Sequence, residues 1–342
     1  MIAHYPILSS LGLSSLGLSS SAQPSFNQPV FRALFKFSLL SLLLFITAPG
    51  LSQSAAAKTT TSPTTRPATI LVSIKPLHSL ISHITEGINR TELLLQQQQS
   101  PHHFQLRPSQ KRLLNQAEFF FYSSDNLEGF VSALKNTNDN LQFIELSRIP
   151  KIQILAARSF HAEHAHKTQS KIDGHIWLSV NNAKAIAEYV TQLLSQRSPE
   201  NAIHYQQNLG ALLIKLDNLQ QQNRQQLSPY QSIPYLVYHD AFQYFEQENG
   251  LNNAHFITTN PEHSPGIKRV KALREIIHTK NIQCIFYEPP NIPSLLNTLT
   301  EKTSVILAEL DPAGSQLPMG KSHYFKLMRQ TATTLSTCFS KK

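Results

Sequence analysis

Glycine is scarce, with 11 residues in a chain of 342. That shortage argues against a glycine-rich loop cradling phosphate, which needs several positions free to adopt φ > 0, and it favours helix over irregular structure. Charge is thin as well, since Asp, Glu, Lys and Arg make up 15% of the chain. The net charge is +9, yet no run of five or more basic residues occurs. The excess therefore reads as general solubility and not as a nucleic-acid tail. The His-Glu-x-x-His signature of many zinc hydrolases is missing from the sequence. The most apolar stretch, FSLLSLLLFI at 37–46, is about half of the roughly 20 residues needed to span a bilayer.

That stretch has other marks of an export signal. Arg32 and Lys36 precede it, and Thr-Ala-Pro-Gly and then Ser54-Ala55-Ala56-Ala57 follow it, giving a basic region, a short apolar core and a small-residue cleavage site. Residues 1–57 are thus expected to be a cleaved signal peptide with a long leading region, and 58–67, rich in Thr, Ser and Pro, an unstructured leader. No cysteine lies near the cleavage point, so a lipid anchor is not expected. The chain has two cysteines, Cys284 and Cys338, 54 residues apart. An isolated pair in an exported chain is a disulfide candidate, with two buried thiols as the alternative. A closed loop of that size is worth about 4 kcal/mol in the chain-entropy model.

What remains is long enough for two lobes, and 41% of the chain is hydrophobic, ample for a sizeable core. Short β-branched or aromatic runs (69–74, 92–95, 119–122, 141–146) alternate with helical periodicity at 77–87, 109–116 and 127–135, the second of these opened by Ser109 as a cap. The theme repeats with strands at 235–238, 254–256, 284–287 and 305–307 and helices at 183–196 and 266–278. Such alternation predicts an α/β fold of two lobes, 68–198 and 228–342, each with a parallel sheet covered on both faces. Between them, from Pro199 to about Gln226, Tyr205, Leu209, Leu212, Leu213, Leu216 and Leu219 form one apolar stripe. The stretch reads as a single stiff linking helix (199–227), on the order of 40 Å long.

Histidine is the anomaly, with 15 residues. His102, in the run Ser100-Pro-His-His-Phe-Gln-Leu-Arg-Pro-Ser109, follows a strand and precedes a helix. His175 sits in Gly174-His-Ile-Trp-Leu178, and His239 in Val237-Tyr-His-Asp-Ala241 at a strand exit. Loops at strand carboxyl ends build ligand sites in open α/β sheets, and three imidazoles with one open position suit Zn²⁺. The three lie 73 and 64 residues apart, so no local spacing rule selects them from the other histidines.

Taken in order, Ser73-Ile-Lys-Pro-Leu-His-Ser-Leu80, the His102 run, Gly174-His-Ile-Trp-Leu178, His239-Asp-Ala-Phe-Gln-Tyr-Phe245, Phe286-Tyr-Glu-Pro289 and Leu310-Asp-Pro-Ala-Gly314 closely resemble the periplasmic zinc receptors of ABC importers. These are the ZnuA type within the cluster A-I metal-binding family, and the match runs from about residue 69 to the C-terminus. The resemblance implies two lobes on a rigid helix with the metal in the cleft between them, and a monomer that passes Zn²⁺ to a membrane permease and its ATPase, with no nucleic-acid partner. It places the family's ligand histidines on His102, His175 and His239, and puts His103 in a non-ligand place. Manganese receptors of the family usually have glutamate at the third place, so His239 favours zinc. For the fourth position, water and Asp311 are alternatives, and Asp311 is equally a capping residue for its Asp-Pro turn. The cysteine pair matches a disulfide of some zinc receptors of this type.

His161, His164 and His166 resemble a shortened form of the family's His-rich metal-gathering loop, with an ordinary solvated linker as the alternative. Glu288 reads as a buried carboxylate paired to a cation or to backbone, with a ligand or a base as the alternative, and Arg107 as a loop anchor. The reading is thus a receptor and not an enzyme. A manganese receptor, a zinc-dependent hydrolase and a surface protein that scavenges metal or adheres are the alternatives.

Overall fold

Short apolar strands followed by amphipathic helices assemble twice. The computed structural model describes residues 68–341 apart from 97–98, 103, 160–170, 252–253 and 262–263. The expected signal peptide and leader, His103, and His161, His164 and His166 lie outside the described residues. In the first half, β1 (Ile70–Val72), β2 (Thr91–Leu93), β3 (Phe119–Tyr122) and β4 (Gln142–Glu145) form a parallel sheet in the order β2-β1-β3-β4. Strand β3, FFFY, is buried along its whole length, as expected of a parallel strand covered on both faces. Helices α1 (Lys75–Ile84), α2 (Pro108–Gln116), α3 (Val131–Lys135) and α4 (Val180–Arg197) accompany it.

The second half repeats the plan. Strands β5 (Leu236–His239), β6 (His255–Thr258), β7 (Cys284–Tyr287) and β8 (Ile306–Glu309) form a parallel sheet ordered β6-β5-β7-β8, alternating with α6 (Gln243–Asn249), α7 (Ile267–Thr279) and α8 (Ser294–Thr300). Between the sheets lies α5 (Ala202–Leu227), preceded by a 3-10 turn at Pro199–Asn201. Its 26 residues span about 39 Å at 1.5 Å each. Tyr205, Leu212, Leu216, Leu219 and Leu227 of the expected stripe side are buried, with Leu209 and Leu213 half-buried. The stripe packs against α4 and α1 of the first lobe and against α6 and the C-terminal helix α9 (His323–Phe339).

Helix α9 also packs on α1 of the first lobe. Its end is tied to the second sheet by the disulfide Cys284–Cys338, with Cα atoms 6.2 Å apart. The lobes are therefore held by α5 and by the returning α9, and all described residues belong to one compact unit.

Three local expectations need correction. Ser109 does not cap α2: Arg107 occupies the N-cap position and its backbone N–H donates to Gln110 Oε1 at 2.9 Å, because Pro108 at the first helical position sets the start one residue earlier. Arg107 is itself exposed. Helix α3 spans only five residues, Val131–Lys135, since 127–130 are taken up by turns around the buried Glu128. Helix α1 starts at Lys75, two residues before the apolar periodicity, because a proline is tolerated in a helix's first turn.

Candidate metal centre

In each sheet the chain leaves the first strand for one neighbour and returns to its other side. This makes a crevice at the carboxyl ends of β1/β3 in one lobe and of β5/β7 in the other, where open α/β sheets bind ligands. His239 is the last residue of β5, and Glu288 directly follows β7. On the other side, Ser123 follows β3 and its Oγ donates to Gly174 O, pulling the 173–175 turn into the first crevice. Glycine is needed there, because a Cβ on Gly174 would lie 2.5 Å from Ser124 Oγ and 2.7 Å from Leu127 Cβ. His175 then opens the 3-10 turn Ile176–Leu178, whose buried Trp177 donates to Pro312 O at 2.8 Å. His102 lies in the connection from β2 to α2, where its backbone N–H donates to Ser100 Oγ at 3.2 Å. Two residues on, Phe104 packs its ring 4.6 Å from Phe130.

These three segments bring one ring nitrogen each of His102, His175 and His239 within 4.8 Å of one another. The ring centroids are 4.9 Å apart for His175 and His239, 5.1 Å for His102 and His239, and 6.0 Å for His102 and His175. His175 and His239 are 6% and 2% exposed and His102 is half-buried. It is the only cluster of three or more His, Cys, Asp or Glu with metal-binding proximity among the described residues.

Carboxylates set two of the rings. His175 Nδ1 lies 2.7 Å from Asp173 Oδ1, which also accepts from the His175 backbone N–H at 3.0 Å. His239 Nδ1 lies 2.5 Å from Glu288 Oε1. An ionised carboxylate can only accept, so each Nδ1 holds the proton and each Nε2 presents a lone pair. His239 Nε2 is buried with no hydrogen-bond partner, an arrangement that costs free energy unless something binds it. Burial opposes charge on the His239 ring, but the carboxylates of Glu288, Asp240 and Asp173 together outweigh it and the ring's pKa is raised. A divalent cation at Nε2 would gain from the same carboxylates.

Asp311 is not in the cluster. Its Oδ1 accepts from the backbone N–H groups of Ala313 and Gly314, both at 2.9 Å, and its Oδ2 from Ser315 N and Oγ at 2.5 and 2.6 Å. The carboxylate thus accepts from its own turn, as a capping residue does. Glu288 is half-buried and pairs with the Nδ1 of His239, where the expectation was a buried group paired to a cation or backbone. Asp173 was not singled out from the sequence, although its place two residues before His175 in Asp-Gly-His was a usable signal. His83 and His323 direct ring nitrogens at backbone carbonyls and are structural.

The family model described as zinc-uptake complex component A, periplasmic, matches residues 70–338. The chain belongs to this family. Among curated relatives, the high-affinity zinc uptake system protein ZnuA of Brucella suis biovar 1 is 29% identical over 306 residues, covering 80% of this chain and 92% of the relative. The protein of the same name from Yersinia pestis is 30% identical over 290 residues, covering 79% and 91%. A crystal structure of ZnuA superposes with a TM-score of 0.69 at 22% identity, over 80% of this chain and all of the other. Membership places the chain among the solute-binding receptors, which are not an enzyme class, and the two-lobed α/β fold is common to the neighbours.

Proposed function

We infer that the protein is a periplasmic receptor that captures one Zn²⁺ between its lobes and passes it to an ABC importer. His102, His175 and His239 are its ligands, each through one neutral imidazole nitrogen, as suits a borderline cation in a tetrahedral site. Water fills the fourth position. The observation that carries this reading is the convergence of the three ring nitrogens within 4.8 Å at the mouths of both sheets. The uptake names of relatives that cover most of the chain add support.

Export through a signal in 1–57, a leader over 58–67, lobes at 68–198 and 228–342 joined at 199–227, a monomeric state and docking on a permease served by an ATPase belong to the same reading. Asp311 stays outside the ligand shell, and His161, His164 and His166 act as a weak gathering loop. Binding and release without chemistry make up the whole cycle, as suits a member of a zinc-uptake receptor family. The test is direct. The protein should take up one Zn²⁺ per chain and gain thermal stability by mass action, and alanine at any of the three histidines should weaken uptake. Full stoichiometry in the triple variant would defeat the assignment.

A further inference from the structure

Helix α6 belongs to the second lobe by sequence, yet its side chains are bonded to the first. Gln243 Nε2 donates to Asp173 Oδ2 at 3.0 Å. Tyr244 Oη donates to Asp173 O at 2.8 Å and accepts from Leu155 N at 3.0 Å. Glu248, in the last turn, accepts from Val180 N at 2.6 Å, Asn181 N at 2.9 Å and Ser179 Oγ at 3.2 Å. It thereby caps the N-terminus of α4, the helix that begins just after the His175 turn. A carboxylate there satisfies free N–H groups and complements the helix dipole.

Asp173 is the junction of this arrangement. One oxygen holds His175 by ring and backbone and the other is held by Gln243. Gln243 is four residues from His239, so the two buried ligand histidines, one from each lobe, are linked by a single short path.

We propose that Gln243 is a positioning residue that sets the His175 ring from the opposite lobe by way of Asp173, with Tyr244 and Glu248 fixing the backbone on either side of that ring. The role rests on His175 and His239 being metal ligands. It makes metal retention depend on a helix that touches no metal, and outer partners of ligating histidines typically matter by 10–100-fold.

The experiment uses the full chain loaded with Co²⁺ as an optical stand-in, together with Zn²⁺ release into excess chelator. Gln243→Ala should shift the Co²⁺ ligand-field bands and raise the Zn²⁺ release rate about tenfold, with the melting temperature of the metal-free protein little changed. Gln243→Met, which keeps the length but not the donor, should behave alike and serves if the alanine variant folds poorly. In an Asp173→Ala background, Gln243→Ala should add nothing, because the carboxylate that joins it to the ring is gone. Unchanged bands and release rate, or a full and additive effect in that background, would overturn the positioning role alone. Wild-type protein that takes up no Co²⁺, or His175→Ala that keeps the wild-type bands, would overturn the metal assignment and this role with it.

Discussion

The two lobes share one strand order but supply the candidate site differently. The second contributes His239 from the end of a central strand, held in register between β6 and β7, with Glu288 behind its ring. The first contributes His102 and His175 from connections outside its sheet, and His175 is steadied by contacts borrowed from α6 of its neighbour. A strand end is rigid without help, whereas a turn must be fastened from outside. The three imidazoles thus differ in how firmly they are held: two are buried and backed by carboxylates, and the third is half-buried on a loop.

The sharpest way to break that comparison is to remove the imidazoles singly. His239→Ala and His175→Ala should each lower Zn²⁺ affinity by about 1,000-fold, roughly 4 kcal/mol, and His102→Ala by nearer 100-fold. Competition against a chromophoric chelator measures all three, and a reversed order would show that burial does not rank these ligands. Next in size is the disulfide, which fastens the returning α9 to β7. Replacing both cysteines by serine should cost about 2–4 kcal/mol of stability in urea unfolding while leaving Zn²⁺ affinity within about threefold, because the bridge joins β7 at its first residue, the end of the strand away from Glu288. A large loss of affinity would mean that α9 governs the site's geometry.

Smaller again are the carboxylates. Glu288→Gln and Asp173→Asn should each weaken Zn²⁺ binding within the 10–100-fold range typical of outer partners. Asp173→Asn should be the worse, since its side chain is 3% exposed against 27% for Glu288 and water can stand in more readily at the latter. Equal effects in calorimetric titration would place the two lobes on the same footing.

Much of this was legible in the chain. The alternation that predicts two parallel sheets is local, carried by runs such as Phe119–Tyr122, and so is the apolar stripe of α5. The candidate site was not locally legible: His102, His175 and His239 converge only because two crevices face each other, a long-range consequence that no spacing within one segment encodes. A resemblance spread over six motifs was needed to select them. Harder still were the groups that hold these histidines. Glu248 capping a helix of the other lobe, or Gln243 reaching Asp173 across 70 residues, follow from how the lobes meet, and each alone looks like an ordinary polar residue on a short amphipathic helix. Asp311 shows the opposite difficulty, for an aspartate before proline carries a turn signal and a ligand signal together, and its carboxylate accepts from the backbone of its own turn.

The smallest predicted effect concerns the fastening of α9 on the first lobe and not the metal. His83 of α1 is buried, with Nε2 3.1 Å from Lys321 O and its ring edge-on to Phe325 at 5.6 Å. Burial first, and then the nearby positive charge of Lys215, push its pKa down to about 4 from an ordinary 6.5. The unfolded chain therefore takes up a proton that the folded chain refuses, so the contribution to stability is complete above about pH 6.5 and is lost as the pH falls toward about 4. Metal-free protein should be less stable to urea at pH 5 than at pH 7. His83→Gln, which keeps a donor for Lys321 O but cannot titrate, should lose less over the same interval. His78 and His323, also lowered by burial, remain in both proteins, so the difference between the two slopes belongs to His83. Superimposable profiles would mean that the contact between α1 and α9 opens to let the proton in, and that the first lobe is held less firmly by the returning helix than the second is by its disulfide.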